Sequence, residues 1–171
     1  FGIPPKAKNN PNPLDMIIGT ILSQNTNDKN SYKAYRNLKD NFGNWNELAE
    51  LTPVKIEKYI NVAGLGKQKS KAIYELLQSL KKKDKSVSLD HIKTKNDAEI
   101  LEELTSYNGV GVKTASCVLL FSLGRNVCPV DTHVHRTLNR IGLVETNTPE
   151  KTFYKILKNI PEKTAHSFHT N

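Results

Sequence analysis

The sequence predicts an all-α fold, and three observations carry that expectation. Apolar residues recur at helical spacing over nearly the whole chain, proline and capping residues sit where the stripes begin, and no segment alternates convincingly as a strand does. Val87 to Leu89 is the one β-like stretch and is too short to argue. Leu14, Ile17, Ile18, Ile21 and Leu22 form the first stripe, with Pro13 and Asp15 suited to a helix start. Tyr35, Leu38 and Phe42 mark a second helix, which Gly43 ends. Thr52-Pro53 reads as an N-cap followed by proline in the first turn, opening a short helix with Ile56 and Ile60 inward. Ile73, Leu76, Leu77 and Leu80 give the next stripe, and Ile100, Leu101 and Leu104 another. Ala115 to Leu123 is apolar on almost every side, which predicts a central, buried helix. Val134, Leu138 and Ile141 follow, and Phe153, Ile156, Leu157 and Ile160 come after Thr148-Pro149. About nine helices are expected.

Composition narrows the class. A chain of 171 residues with 37% hydrophobic content has room for one or two domains and a sizeable core. No run approaches the roughly 18 apolar residues of a membrane span. Two cysteines exclude a disulfide scaffold and offer no CxxC spacing for zinc. No signal-peptide pattern is present, and a first residue of Phe1 reads as a piece of a longer chain. With 25 Lys+Arg against 17 Asp+Glu, the net charge of +8 favours an acidic partner such as nucleic acid. Only Arg36, Arg125, Arg136 and Arg140 are arginines, a balance that suits phosphate attraction better than reading of base edges. The run Lys81-Lys82-Lys83-Asp84-Lys85 reads as a helix end opening a solvated linker to about Asn96.

An internal echo adds detail. Gly64-Leu65-Gly66 and Gly109-Val110-Gly111 lie 109 − 64 = 45 residues apart, and Ile56, Tyr59, Ala72 and Ile73 match Leu101, Leu104, Cys117 and Val118 at the same offset. Both segments read as helix, tight glycine hairpin, helix. Each second helix then starts with free N–H groups aimed outward, a ready site for a DNA phosphate. Plain αα-hairpins also use glycine simply to turn; two of them in a basic chain favour DNA.

Two residues could carry chemistry. Lys113 stands two residues after Gly111, in the first turn of the buried helix, where a cation opposes the positive end of the helix dipole. That placement marks it as a candidate amine nucleophile. Asp131, in Val130-Asp131-Thr132-His133-Val134-His135-Arg136, sits at an N-cap position, where a carboxylate commonly only satisfies backbone N–H groups. Together, an amine at one helix start and a carboxylate at the next could face one another across a cleft.

Gly109-Val110-Gly111-Val112-Lys113-Thr114-Ala115 followed by the Asp131 segment resembles the helix-hairpin-helix DNA glycosylases of the endonuclease III type. Ile21-Leu22-Ser23-Gln24-Asn25-Thr26-Asn27-Asp28 resembles that family's early DNA-contacting loop, and Gly64-Leu65-Gly66 with Lys69 to Ile73 its second DNA-facing hairpin. The matches run in order from about Pro13 to Leu143. The resemblance implies a two-lobed all-α protein with its active site in the cleft, residues 14–124 forming one lobe and residues 1–13 plus 125–171 the other. It implies that Lys113 attacks C1′ of a damaged nucleotide, that Asp131 assists base departure, and that a Schiff base leads to β-elimination and a nick. Gly109, Val110 and Gly111 would hold a backbone phosphate, and Gly64, Leu65 and Gly66 would face the DNA. Asn25, or its neighbour Gln24, and Leu65 would fill the gap left by a flipped base, with His133 lining the DNA surface. A monovalent cation at the hairpin carbonyls is allowed by the same resemblance. The implied partner is double-stranded DNA with a damaged base or abasic site, met by a monomer with no membrane association, in the cytoplasm or nucleoid of a prokaryote.

The departures are as specific. Tyr107-Asn108 stands where the family has Leu-Pro, so Tyr107 must pack differently or contact DNA. Many relatives bind a [4Fe–4S] cluster through four cysteines near the C-terminus; Cys117 and Cys128 are too few and eleven apart, so no cofactor is expected in this chain. The expectation is a chain cut before that segment, or a protein without it. Competing readings are a non-catalytic helix-hairpin-helix DNA-binding module, a fragment that binds but turns over poorly, and a glycosylase without lyase activity. Glu162, His166 and His169 have metal-like spacing, yet two histidines near a helix end read first as solvated cations. Asp131, His133 and His135 are spread around their helix, His91 suggests nothing, and Trp45 reads as a core anchor.

Overall fold

The structure, a computed structural model, describes residues 9–84 and 86–170, so Phe1 and Lys85 lie outside the described residues. Among the described residues ten α-helices follow one another: α1 (Pro13–Ser23), α2 (Asp28–Asn41), α3 (Trp45–Ala49), α4 (Pro53–Ile60), α5 (Gly66–Asp84), α6 (Asp97–Thr105), α7 (Val112–Cys117), α8 (Thr132–Arg140), α9 (Pro149–Ile156) and α10 (Ala165–Thr170). No strand occurs among the described residues, and no helix there is long and apolar enough to cross a membrane.

Local chemistry explains most helix starts. Asn12, Asn27, Asn44 and Asn96 each accept a first-turn N–H with their side chain, and Thr148 and Asp131 do the same for α9 and α8. Thr52 occupies the N-cap of α4 as expected, but its hydroxyl makes no capping bond. The start of α7 at Gly111 has no side-chain cap at all.

The apolar stripes meet in one continuous core running from Leu14 to Ala165. The whole stripe of α1 is buried, and α1 packs against α2, α5 and α7. Each of its leucines and isoleucines contributes about 1.5–3 kcal/mol by leaving water, so packing rather than helix propensity holds α1 in place. The helix expected at Ala115 to Leu123 is central and buried, but it changes pitch: α7 gives way to a π turn at Val118–Ser122, closed by the Leu123 N–H on Val118 O. α2 packs on α1 and α4, and α5 on α4 and α1, whereas α8 packs on α9, and α10 on the π turn, which itself lies on α1.

Several expectations are corrected. Ile141 is 67% exposed, because α8 ends at Arg140 and Gly142 turns the chain away with φ of 73°. α3, with five residues, is too short to show a period, although Trp45 is the anchor expected: its indole donates to Asp15 at 2.6 Å. The stretch after the lysine run is not a solvated linker. Val87, Leu89 and Ile92 are buried there, and Asp90–Thr94 forms a 3-10 turn. Lys81 pairs with Glu50, and Lys83 reaches Glu103 at 2.6 Å.

Glu103 gathers the end of α5, the 3-10 turn and α6. Its carboxylate takes Lys83 and Lys95 at 2.6 Å each and His91 at 2.7 Å. Burial opposes ionisation, but these hydrogen bonds outweigh it and hold the carboxyl down at about 2. A carboxylate whose folded pKa lies below its unfolded value stabilises the fold above the unfolded value, and loses that contribution as pH falls. Glu103→Gln is therefore expected to cost about 2 kcal/mol at pH 7, after discounting for the exposed lysines. The difference from the wild type should shrink between about pH 4.5 and 2 in denaturant titrations. A difference that does not change across that window would show the cluster to be energetically idle.

Candidate active site and DNA-facing hairpins

The two carboxylate oxygens of Asp131 are engaged differently. One oxygen, Oδ1, accepts both capping N–H groups, from His133 at 2.9 Å and Val134 at 2.8 Å. Oδ2 takes no hydrogen bond among the described residues. Capping and chemistry therefore do not compete for this carboxylate. Asp131 opens onto a cavity of about 430 Å³, which it lines with His133, Val134, Phe168 and His169. That volume falls in the range of small-ligand sites. Another cavity, of about 420 Å³, lies against Met16, Phe121 and Arg125 and carries neither Lys113 nor Asp131.

Lys113 is half-buried in the first turn of α7 and is not part of the lining of the Asp131 cavity. It nevertheless acts in the same neighbourhood. Burial raises the Cys117 thiol, and against that the nearby Lys113 charge lowers it while Asp131 raises it. The same two charges bear on the imidazole of His169. Charges act over about 10 Å, and further between partly buried groups, so amine and carboxylate lie in one neighbourhood around Cys117 and His169.

The two glycine hairpins share their helices but not their turns. In the first, Gly64 has φ of 68° and Leu65 of 50°, and α5 begins at Gly66. Leu65 is thereby thrust outward, 49% exposed. In the second, only Gly109 has positive φ, at 80°, and Gly111 becomes the N-cap of α7. Val110 is buried, so only its backbone can meet a phosphate. A Cβ on Gly109 would stand 2.7 Å from Ala72 of α5, and one on Gly66 would stand 2.5 Å from Asn61 Oδ1. Both glycines are close approaches as well as turns.

The α1–α2 loop separates its two candidates. Gln24 donates through Nε2 to Gly109 O at 3.2 Å, tying α1 to the second hairpin. Asn25 is exposed with φ of 49° and projects from the loop. The Gly109 carbonyl accepts from Gln24, and the Tyr107 carbonyl accepts from the Val110 N–H, so a cation at these carbonyls would share them with those donors. Tyr107 packs inward with its hydroxyl donating to Glu103 at 3.3 Å, and Asn108 donates to Glu75 of α5 at 2.6 Å. His133 is exposed beside Asp131.

Sequence reasoning missed Lys69 as a structural clamp. It is 2% exposed, with Nζ donating to Leu22 O and Ala63 O at 2.8 Å each, and burial lowers its pKa. No local signal separates it from the surface lysines around it. The histidines of α10 are not the free surface cations expected: His166 and His169 are half-buried and meet the Phe121 ring edge-on at 5.9 and 5.7 Å. His135 turns to Thr152 at 2.6 Å. No cluster of three or more His, Cys, Asp or Glu suited to a metal occurs among the described residues. Cys117 and Cys128 are both buried, burial pushing the latter up to about 12, and two such thiols do not fit a four-thiolate cluster site.

An all-helical pair of lobes, two glycine hairpins and an amine–carboxylate pair at successive helix starts define a helix-hairpin-helix protein of the DNA glycosylase class. Residues 18–162 match the family described as "HhH-GPD superfamily base excision DNA repair protein". Endonuclease III of Thermotoga maritima is 36% identical over 92% of this chain and 70% of its own length. A candidate DNA glycosylase of Arabidopsis thaliana is 34% identical over 88% of this chain, which spans about half (52%) of that relative. Among solved structures, a trapped endonuclease III–DNA covalent intermediate superposes with a TM-score of 0.77 at 23% identity, over 93% of this chain and 71% of that one. The 8-oxoguanine glycosylase/lyase of Clostridium acetobutylicum gives 0.78 at 22%, over 94% and 58%. The chain belongs to the HhH-GPD superfamily of base excision DNA repair proteins, among the endonuclease III relatives.

The contrast between the hairpins is measurable without DNA. Leu65→Asn should leave stability unchanged or raise it by up to about 1 kcal/mol, because asparagine tolerates the left-handed region better. Gly109→Ala should cost about 2 kcal/mol or more, from strain at φ of 80° plus the clash with Ala72. Thermal denaturation of the two variants checks both; equal effects would mean that the turns are interchangeable.

Proposed function

We propose that the protein is a DNA glycosylase with abasic-site lyase activity, acting on a damaged base flipped out of duplex DNA. The observation that carries this reading is the placement of Lys113 and Asp131 at successive helix starts, with one Asp131 oxygen taking no hydrogen bond among the described residues beside a nucleotide-sized cavity. The Asp131 carboxylate stabilises positive charge on the sugar as the base departs. The Lys113 amine attacks C1′, forming a Schiff base, and elimination at C2′–C3′ then cuts the strand.

The rest of the site serves binding. Phosphates of the duplex dock on the uncapped start of α7 at Gly109, Val110 and Gly111, and on the Gly64-Leu65-Gly66 hairpin. Flipping a base costs a few kcal/mol of stacking, which Leu65 and Asn25 offset by entering the gap. Gln24, held by the Gly109 carbonyl, is left to position that loop. His133 lines the DNA beside Asp131. The same reading assigns residues 14–124 to one lobe and residues 1–13 with 125–171 to the other, admits a monovalent cation at the second hairpin, and makes the protein a monomer working in the cytoplasm or nucleoid of a prokaryote.

Borohydride added to the protein with an abasic duplex is expected to trap a covalent adduct that Lys113→Gln abolishes. No adduct from the wild type leaves a glycosylase without lyase activity, or a binding module alone. Asp131→Asn separates the cap from the chemistry, because asparagine caps as well as aspartate does. Stability should stay within about 0.5 kcal/mol, while base excision falls on the order of a hundredfold. Undiminished excision in Asp131→Asn would reduce Asp131 to a helix cap.

A further inference from the structure

We propose that His169 is the base that removes the C2′ proton during strand cleavage; the proposal rests on the lyase reading above. His169 stands on α10, far in sequence from both Lys113 and Asp131, yet it lines the same cavity as Asp131. Its Nδ1 lies 3.0 Å from the carbonyl oxygen of Pro129, two residues before Asp131. A carbonyl only accepts, so Nδ1 carries the hydrogen, and the lone pair of the neutral ring sits on Nε2. The ring is also braced edge-on by Phe121, 5.7 Å away, and Phe121 lies in the π turn that continues the nucleophile's own helix. A ring with a fixed tautomer and two fixed contacts is a preorganised acceptor rather than a mobile surface histidine.

The electrostatic setting agrees with the geometry. Burial lowers the His169 pKa; the Pro129 hydrogen bond and the Asp131 charge work against that, while Lys113 and His166 add to it. The outcome is a lowered pKa, so the ring is neutral and able to accept a proton at pH 7. The reaction also needs two carboxylate-like services that one carboxylate cannot supply at once. Asp131 must stay charged to stabilise the positive sugar and iminium, and accepting a proton would end that service.

The step balances without any added reagent. His169 Nε2 takes the C2′ proton of the Lys113 iminium, and the C–H electron pair forms a C1′=C2′ bond as the iminium nitrogen takes up its own pair. That pair then returns, forming the iminium again with a C2′=C3′ bond, as the C3′–O bond breaks and the phosphate departs with its electrons. Water later hydrolyses the unsaturated iminium and frees Lys113.

The test compares wild type and His169→Gln on an abasic duplex in single turnovers, reading borohydride trapping and nicking separately across pH. Glutamine can still donate to Pro129 but has no titratable base. Trapping is expected to stay within about twofold, nicking to fall on the order of a hundredfold, and the acid limb of the nicking profile to disappear. Nicking that is unchanged, or that falls only in step with trapping, overturns the proposal while leaving the lyase reading intact. Absence of trapping in the wild type overturns the lyase reading itself. Should the variant fail to fold, the wild type decides: nicking must lose rate on acidification through or below the usual histidine range while trapping does not, and a flat profile overturns the assignment.

Discussion

The end of α1 is the point on which both glycine hairpins are registered. Its Leu22 carbonyl accepts from Lys69, whose ammonium also holds Ala63 at the edge of the first hairpin. Two residues on, Gln24 reaches the Gly109 carbonyl of the second hairpin. The Lys69 ammonium is buried without a carboxylate hydrogen-bonded to it, which is costly, but it sits where the helix dipole of α1 is negative and two carbonyls replace its water. Losing either partner would leave a buried charge or an orphaned carbonyl, so the arrangement resists partial loosening. Asn25 and Leu65, two exposed residues with positive φ, are thereby held in a fixed relation.

That fixed relation explains why strain is tolerated at both tips. A non-glycine residue in the left-handed region costs of order 1 kcal/mol and persists only where its surroundings over-determine it. Here the surroundings are Lys69 on one side and the Asn27 cap of α2 on the other. Both strained side chains, Asn25 and Leu65, are exposed.

Asp131 shows the same economy at the candidate catalytic centre. Capping fixes its rotamer through two short bonds to one oxygen, and the other oxygen is left for charge stabilisation. A separate constraint, the π turn after α7, brings Phe121 against both α10 histidines and so brings the C-terminal helix to the cavity that Asp131 opens on. The cavity is thus lined from two stretches far apart in sequence, α8 with its cap and α10.

Local pattern was enough for the helices that carry it. The apolar positions Leu14, Ile17, Ile18, Ile21 and Leu22 are all buried, the Thr-Pro starts lie at element boundaries, and the two glycine hairpins fall 45 residues apart. Lys113 in the first turn of α7 and Asp131 at the cap of α8 stand at the helix starts expected for them, because neighbouring residues specify each start. The five-residue α3, the burial of Val87, Leu89 and Ile92, and the exposure of Ile141 were not legible, because each depends on what packs there rather than on a period. Whether Gln24 or Asn25 projects, why Lys69 is buried, and how His169 comes to share a cavity with Asp131 were decided only by contacts between residues tens of positions apart. Periodicity and capping act over one or two helical turns, whereas hydrogen-bond partners of buried groups are chosen by the packed whole, and that is where the chemistry of this chain resides.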